Sequence, residues 1–259
     1  MSRLPAIVWY GFAAAAIVFM LAPLIVLIMF CFSDSPLLAF PITGLTLDWF
    51  GALLARPGLL KAFTNSLIVT ATVGVVSTVA GTLTAIGLAG VRSLGASGFT
   101  AALTVPVMVP PLMLGIMLLS YFTNWLGIRL GLHTVILAHL VFTQPFVILI
   151  VGARMASFDF AAVDSARDLG ASSLRAFLTV TLPIVRPSIV GASLIGMALS
   201  LDDFVVTFFT IGGGSTLSTY MWGMLRRGVD PTINVMAVMV MSLSIGASVL
   251  GLRATRYRG

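Results

Sequence analysis

Apolar residues run along this chain in six long stretches, residues 7–32, 63–91, 99–123, 134–154, 189–211 and 233–252. Polar connections follow them at Ser33, Arg92, Asn124, Met155, Gly212 and Arg253. A helix needs about 20 mostly apolar residues to cross a bilayer, so each stretch predicts one spanning helix. Inside hydrocarbon a helix satisfies its own backbone groups, and the expected fold is an all-α bundle of six transmembrane helices. No internal repeat or low-complexity linker divides the chain, so residues 1–259 read as one membrane domain. The first helix is expected to stand somewhat apart, because the connection after it is long. Arg3 and the Ala13-Ala14-Ala15 triplet mimic a cleavable leader. A leader's apolar region spans only about 7–15 residues, and this run continues to Phe32, which predicts a retained span.

Composition agrees. Hydrophobic residues make up 59% of the chain and charged ones 8%, with a mean hydropathy of +1.13. A soluble domain carries about a quarter charged residues, so most of this surface meets lipid. The net charge of +6 does not form a polyanion groove, since the arginines sit at the ends of apolar runs; nucleic acid is not an expected partner. With the N-terminus inside, Arg3, Arg92, Arg154, Arg167, Arg175, Arg186, Arg253, Arg256 and Arg258 fall on the inner side, nine in all. Arg56, Lys61, Arg129, Arg226 and Arg227, five in all, fall outside. Basic residues favour the cytoplasmic face, so both termini and the connection at about 155–187 are expected in the cytoplasm.

Catalysis and metal binding find no support. The one cysteine, Cys31, lies in an apolar run and excludes a disulfide framework or thiolate site within the chain. His133 and His139 are six apart, off a common helical face, and the chain has no Glu. His133 reads as an interface residue near Trp125, and His139 as a satisfied core histidine. No nucleophile stands beside a base, so no catalytic and no metal residues are assigned. In the third stretch Pro106, Pro110 and Pro111 remove backbone donors. Such a site is either a packing kink or a break lining a pathway.

The longest polar interruption reads Asp164-Ser165-Ala166-Arg167-Asp168-Leu169-Gly170-Ala171, then Phe177 and Leu182-Pro183. It predicts helix, sharp break, helix. Asp159 is placed to cap the first helix, Gly170 to take the left-handed conformation that ends it, and Ser172 to cap the second. Phe177 and Leu178 supply apolar contacts, and Leu182-Pro183 is expected to end the second helix before the fifth span. On the residues alone this is an ordinary cytoplasmic helix pair, with an Asp164–Arg167 ion pair worth a few tenths of a kcal/mol, or a docking knob for a soluble partner.

The fifth stretch holds Leu199-Ser200-Leu201-Asp202-Asp203-Phe204. Counted back from Gly212, the carboxylates lie roughly 13 Å along the helix at about 1.5 Å per residue, in the outer half of the bilayer. An intramembrane Asp costs about 2.5–3.5 kcal/mol on insertion scales, so the two need water, a cation or a partner. Adjacent side chains diverge by ~100° on a helix, so both cannot face one pore. Asp202 and Asp203 serve a cation pathway, or one caps a broken helix while the other bonds a neighbour. The Gly212-Gly213-Gly214 triplet lacks a following Gly-Lys-Ser/Thr and reads as an external turn.

The 164–183 segment closely resembles the EAA loop (E-A-A-x-x-x-G, then L-P) of permease subunits of binding-protein-dependent ABC importers, with Asp164 for Glu and Ser165 for the first Ala. The order intramembrane Leu-Asp-Asp, Gly-rich turn, Thr216-Leu217, Arg226-x-Gly228, Pro231-x-Ile233-Asn234 resembles the polyamine (spermidine/putrescine) branch, with Ser218 in place of the usual Pro. Asn65-Ser66-Leu67, opening the second span, extends the resemblance over nearly the whole chain. It implies a type I importer permease of the bacterial inner membrane, without enzymatic activity of its own. The implied partners are a homologous second permease, an ATPase dimer that binds ATP and Mg, and an extracytoplasmic solute-binding protein. The resemblance makes Asp164, Ser165, Ala166, Asp168, Gly170, Ala171 and Phe177 the ATPase-docking residues. Relatives of the same architecture carry aminoethylphosphonate, iron, sulfate or thiamine; the acidic pair favours a cation. An ion channel would show a repeated filter segment, and a membrane enzyme paired His, Glu or Asp near one face. Neither is visible.

Overall fold

The computed structural model describes residues 3–89, 91, 94–228 and 230–256. Arg92 and Arg258, two of the arginines that set the expected orientation, lie outside the described residues. The described residues are mostly helical: α1 (Arg3–Cys31), α2 (Asp48–Leu54), α3 (Leu59–Ala89), α4 (Leu94–Met108), α5 (Pro111–Ser120), α6 (Leu132–Ala156), α7 (Ala161–Asp168), α8 (Ser173–Ala176), α9 (Leu182–Asp202), α10 (Val205–Thr210), α11 (Leu217–Arg227) and α12 (Pro231–Arg256). Wide π-helical turns follow α5 at Tyr121–Trp125 and α8 at Phe177–Thr181. Extended backbone among the described residues pairs at one isolated bridge, Ser33 to Leu45.

Among the described residues four helices are long and apolar enough to cross a membrane: Val8–Cys31, Leu59–Ala89, Leu132–Ala156 and Ser173–Asp202. A fifth candidate is the pair Gly98–Met108 and Pro111–Trp125, bent by 102°. The third apolar stretch is therefore two helices, not one. The residue before a proline is driven to extended backbone, and Pro110, which precedes Pro111, has ψ 136. In α12 the apolar part among the described residues is the shorter segment Pro231–Gly246.

The second correction concerns Leu182-Pro183. It does not end a helix. The chain runs helically from Ser173 to Asp202 because Pro183 falls in the first turn of α9, where a missing N–H costs little. The π turn ahead of it re-routes the ladder, with the Leu182 amide donating to the Phe177 carbonyl. In the fifth stretch the structure takes the broken-helix alternative. The helix stops at Asp202, and α10 starts afresh at Val205.

The chain falls into two compact units. Met1–Leu60 with Met221–Leu243 form one, and Lys61–Tyr220 with Ser244–Gly259 the other. In the first, the Arg56 guanidinium pairs with the Asp230 carboxylate, and Thr232 donates its amide to Asp230 Oδ1 at 2.8 Å. In the second, α6 is the central helix: 44% of its apolar window is buried, the largest share among the candidate spans. One apolar cluster (Ala85, Val147, Val151, Met155, Val185, Ala192) joins α3, α6 and α9. Another (Leu114, Phe122, Ala138, Val206) joins α5, α6 and α10.

Candidate functional site

The polar connection between α6 and α9 folds as the sequence predicts at its caps. Asp159 Oδ1 accepts the Ala161 amide at 3.0 Å. At the far end Gly170 sits at φ +86, with its amide on the Arg167 carbonyl (2.8 Å) and the Ala171 amide on the Ala166 carbonyl (3.0 Å). These two bonds are the Schellman pattern, which needs a left-handed residue at Gly170. Ser172 Oγ then accepts the Arg175 amide at 3.3 Å and starts α8. The Asp164–Arg167 ion pair that the ordinary-helix-pair alternative included does not form. Arg167 instead donates to Ser173 Oγ at 3.0 Å, bracing the two short helices across the Gly170 turn.

Asp164, Ser165, Asp168 and Gly170 are exposed on this hairpin, and Ala166, Ala171 and Phe177 are half-buried. Anchoring comes from beneath: Phe158 and Ala176 are buried, and Val163 packs on the α3–α6–α9 cluster. The most exposed large apolar side chains of the connection are Leu169, 90% exposed, and Leu174, 68% exposed; Leu178, expected to supply an apolar contact, is also exposed.

The second site is the break at Asp202-Asp203, and here the two carboxylates part. Asp203 turns inward; its side chain is 12% exposed. Oδ2 accepts the Thr207 amide at 2.8 Å and hydroxyl at 3.0 Å, and Oδ1 accepts the Val206 amide at 3.4 Å. The carboxylate thereby caps α10, where free amides and the positive dipole end favour an anion. His139 of α6 lies against the same group, with Nε2 at 3.3 Å from Asp203 Oδ2 and 2.8 Å from Thr207 Oγ1. Its Nδ1 is 2.8 Å from Ser200 Oγ. A proton on Nε2 satisfies this set, since Nε2 donates to Thr207 and Asp203 while Nδ1 accepts the Ser200 hydroxyl. The Asp203 carbonyl, freed by the break, accepts the Ser218 hydroxyl at 2.7 Å and lies 3.1 Å from Thr207 Oγ1, whose one proton it shares with Oδ2. Ser218, at the position where the resemblance expects proline, thus closes a backbone group that lipid could not.

Asp202 is exposed, and no hydrogen bond or ion pair engages its side chain among the described residues. His139 is the satisfied core histidine expected, 1% exposed; that its partner is Asp203 was not read from the sequence. The Asn65-Ser66 pair has a structural use: Asn65 Nδ2 donates to the Ser215 carbonyl at 2.8 Å, and Ser66 Oγ accepts the Leu217 amide at 2.8 Å. Both hold the Gly-rich turn, whose Gly212 stands at φ +65 with its would-be Cβ 3.0 Å from the Leu130 carbonyl oxygen. No group of three or more His, Cys, Asp or Glu side chains is placed to hold a metal among the described residues.

Residues 77–256 match the family described as binding-protein-dependent transport system inner membrane component. The chain is 32% identical over 231 residues to the putrescine transport system permease protein PotI of Escherichia coli K12, covering 86% of this chain and 82% of that protein. It is 32% identical over 238 residues to the spermidine/putrescine transport system permease protein PotC of the same strain, covering 91% and 89%. Among solved structures, a bacterial ABC transporter that imports the acidic polysaccharide alginate superposes with a TM-score of 0.77 at 16% identity, over 98% of this chain and 97% of that one. The MetNI methionine ABC transporter superposes with a TM-score of 0.65 at 19% identity, over 78% and 96%. These two likenesses concern the fold, that of ABC importer permeases. With a family match across most of its length and relatives at 32% identity, the chain belongs to the binding-protein-dependent inner membrane permeases.

Proposed function

We propose that this chain is half of the translocation pore of a polyamine ABC importer. The observation that carries the reading is the 32% identity to PotI and PotC over most of both chains. A homologous second permease completes the pore, and a solute-binding protein delivers substrate from outside. A separate ATPase dimer, holding ATP and Mg, docks on the Gly170 hairpin. The chain crosses the inner membrane six times, with α4–α5 as one bent crossing and α12 as the last, and both termini are cytoplasmic. The positive-inside count supports that orientation.

Within the pore the two acids take different roles. Asp203 is held by α10 and His139 and ties the broken helix together. Asp202, exposed and unpaired among the described residues, is the carboxylate left to meet a cation. A polyamine carries several positive charges at neutral pH, and a compensating carboxylate lowers the cost of taking them through a low-dielectric passage. The test is putrescine and spermidine uptake into proteoliposomes, normalised to assembled complex. Asp202→Asn should lower uptake by about tenfold or more, ~1.4 kcal/mol at the barrier. Parental uptake by that variant would remove Asp202 from the pathway. Absence of polyamine uptake by the parental complex would remove the substrate reading.

A further inference from the structure

The connection that leaves α1 folds back onto the end of the helix instead of reaching into water. The Thr46 amide donates to the Phe32 carbonyl at 2.8 Å, and the Asp34 amide to the Gly44 carbonyl at 3.1 Å. Trp49 Nε1 donates to the Ser33 carbonyl at 2.7 Å. Phe40 packs on Phe30 with ring centroids 5.1 Å apart, and Phe30 lies in the last turn of the apolar window Val8–Cys31. That contact ties the loop to the C-terminal end of the α1 apolar window.

Its polar groups are largely bonded within the loop itself, although Asp34 and Thr43 remain exposed. Asp34 is the one charged side chain in residues 33–47. Its Oδ1 accepts the Thr43 hydroxyl at 2.9 Å and the Gly44 amide at 3.0 Å. Ser33, Ser35 and Thr46 hydroxyls each accept an amide two residues on. Most of the large side chains left exposed are apolar: Leu37 at 70% exposure, Phe40 at 60%, Leu45 at 80% and Leu47 at 66%. In water such a set is costly, and four of them within eleven residues exceed the scattered apolar positions normal on a soluble surface.

We propose that residues 33–47 form an interfacial anchor, a folded loop lying in the headgroup–acyl boundary beside α1 with Leu37, Phe40, Leu45 and Leu47 toward the lipid. The occupant is lipid because the apolar loop surface continues from that of α1, of whose span window only 11% is buried. Self-satisfied polar groups are also what a segment needs where water is scarce. Tryptophan and other amphipathic rings favour the same layer, and Trp49 holds the loop at its base. The inference requires that α1 cross the bilayer, and it is independent of the substrate and of the role of Asp202.

The test places a single cysteine at Leu45 or Leu47, in a Cys31→Ala background, in the full-length protein purified with its bound subunits. Each is labelled with bimane and reconstituted into phosphatidylethanolamine/phosphatidylglycerol nanodiscs. Both side chains are exposed, so neither substitution removes a core contact. The expected result is loss of emission when 5-doxyl phosphatidylcholine is included in the disc, and little loss on adding aqueous iodide. Quenching by iodide without quenching by the spin-labelled lipid would place the loop in water. Protection from both would place it against protein. Either outcome overturns the proposal.

Discussion

The separation of Asp202 from Asp203 can be tested through stability. Removing the Asp203 carboxylate with Asp203→Leu strips the acceptor from the Thr207 amide at 2.8 Å, its hydroxyl at 3.0 Å and His139 Nε2 at 3.3 Å. A buried donor left without an acceptor costs about 1–3 kcal/mol, and here the Thr207 amide and the His139 Nε2–H each lose one. The leucine variant should therefore lose roughly 3–5 kcal/mol. Asp203→Asn keeps an acceptor oxygen for the cap and loses only the charge, so it should lose about 1–2 kcal/mol. Asp202→Asn removes a charge that nothing in the described chain contacts, and should stay within about 0.5 kcal/mol. For a chain of this size 1 kcal/mol moves the midpoint by roughly 2–4 °C, so the leucine variant should melt ~6–20 °C lower. Fluorescence-detected size-exclusion chromatography after a temperature series measures this in detergent or nanodiscs. A double-mutant cycle with His139→Leu completes the assay, with an expected coupling of about 1–3 kcal/mol. Additive effects at His139 and Asp203, or a lower midpoint for Asp202→Asn than for Asp203→Asn, would refute the assignment.

Gly170→Val must hold a β-branched residue at φ +86, so the hairpin should rearrange; uptake should collapse while the permease still accumulates in the membrane, and normal ATP-driven uptake would contradict the docking role. Asp230 offers a pH signature. Burial alone raises its pKa, but hydrogen bonds from Thr232 and Arg56 outweigh that and leave it below its ordinary value. A carboxylate lowered in the folded state stabilises above its unfolded pKa of about 4 and loses that contribution as pH falls through the lower folded value. Asp230→Asn should therefore flatten the acid side of the melting-midpoint profile, and an unchanged profile would count against the Arg56–Asp230 pairing. For orientation, single cysteines at Ser173 and Ser215 in a Cys31→Ala background should react differently with a membrane-impermeant thiol reagent on outer-permeabilised cells. Labelling is expected at 215 only, and labelling at 173 only would reverse the topology.

What the sequence determined by itself was local. The apolar runs announced the long apolar helices, though not a count of six spans, because a bilayer demands length and hydropathy, both additive along the chain. Asp159, Gly170 and Ser172 were readable as caps because each acts on backbone within a few residues of itself. Tertiary structure decided what depended on distant neighbours. Pro110-Pro111 announced a break but not its 102° angle, which packing must hold. Leu182-Pro183 looked like a stop, yet the π turn ahead of it lets the helix continue to Asp202. The division of labour between two adjacent aspartates was invisible in their own surroundings. His139 lies 61 residues from Ser200 and 68 from Thr207, and only the packing of α6 against α9 and α10 brings the imidazole to the break. A buried charge takes its partner from whatever helix the fold lays beside it, so its role is a property of the packed bundle.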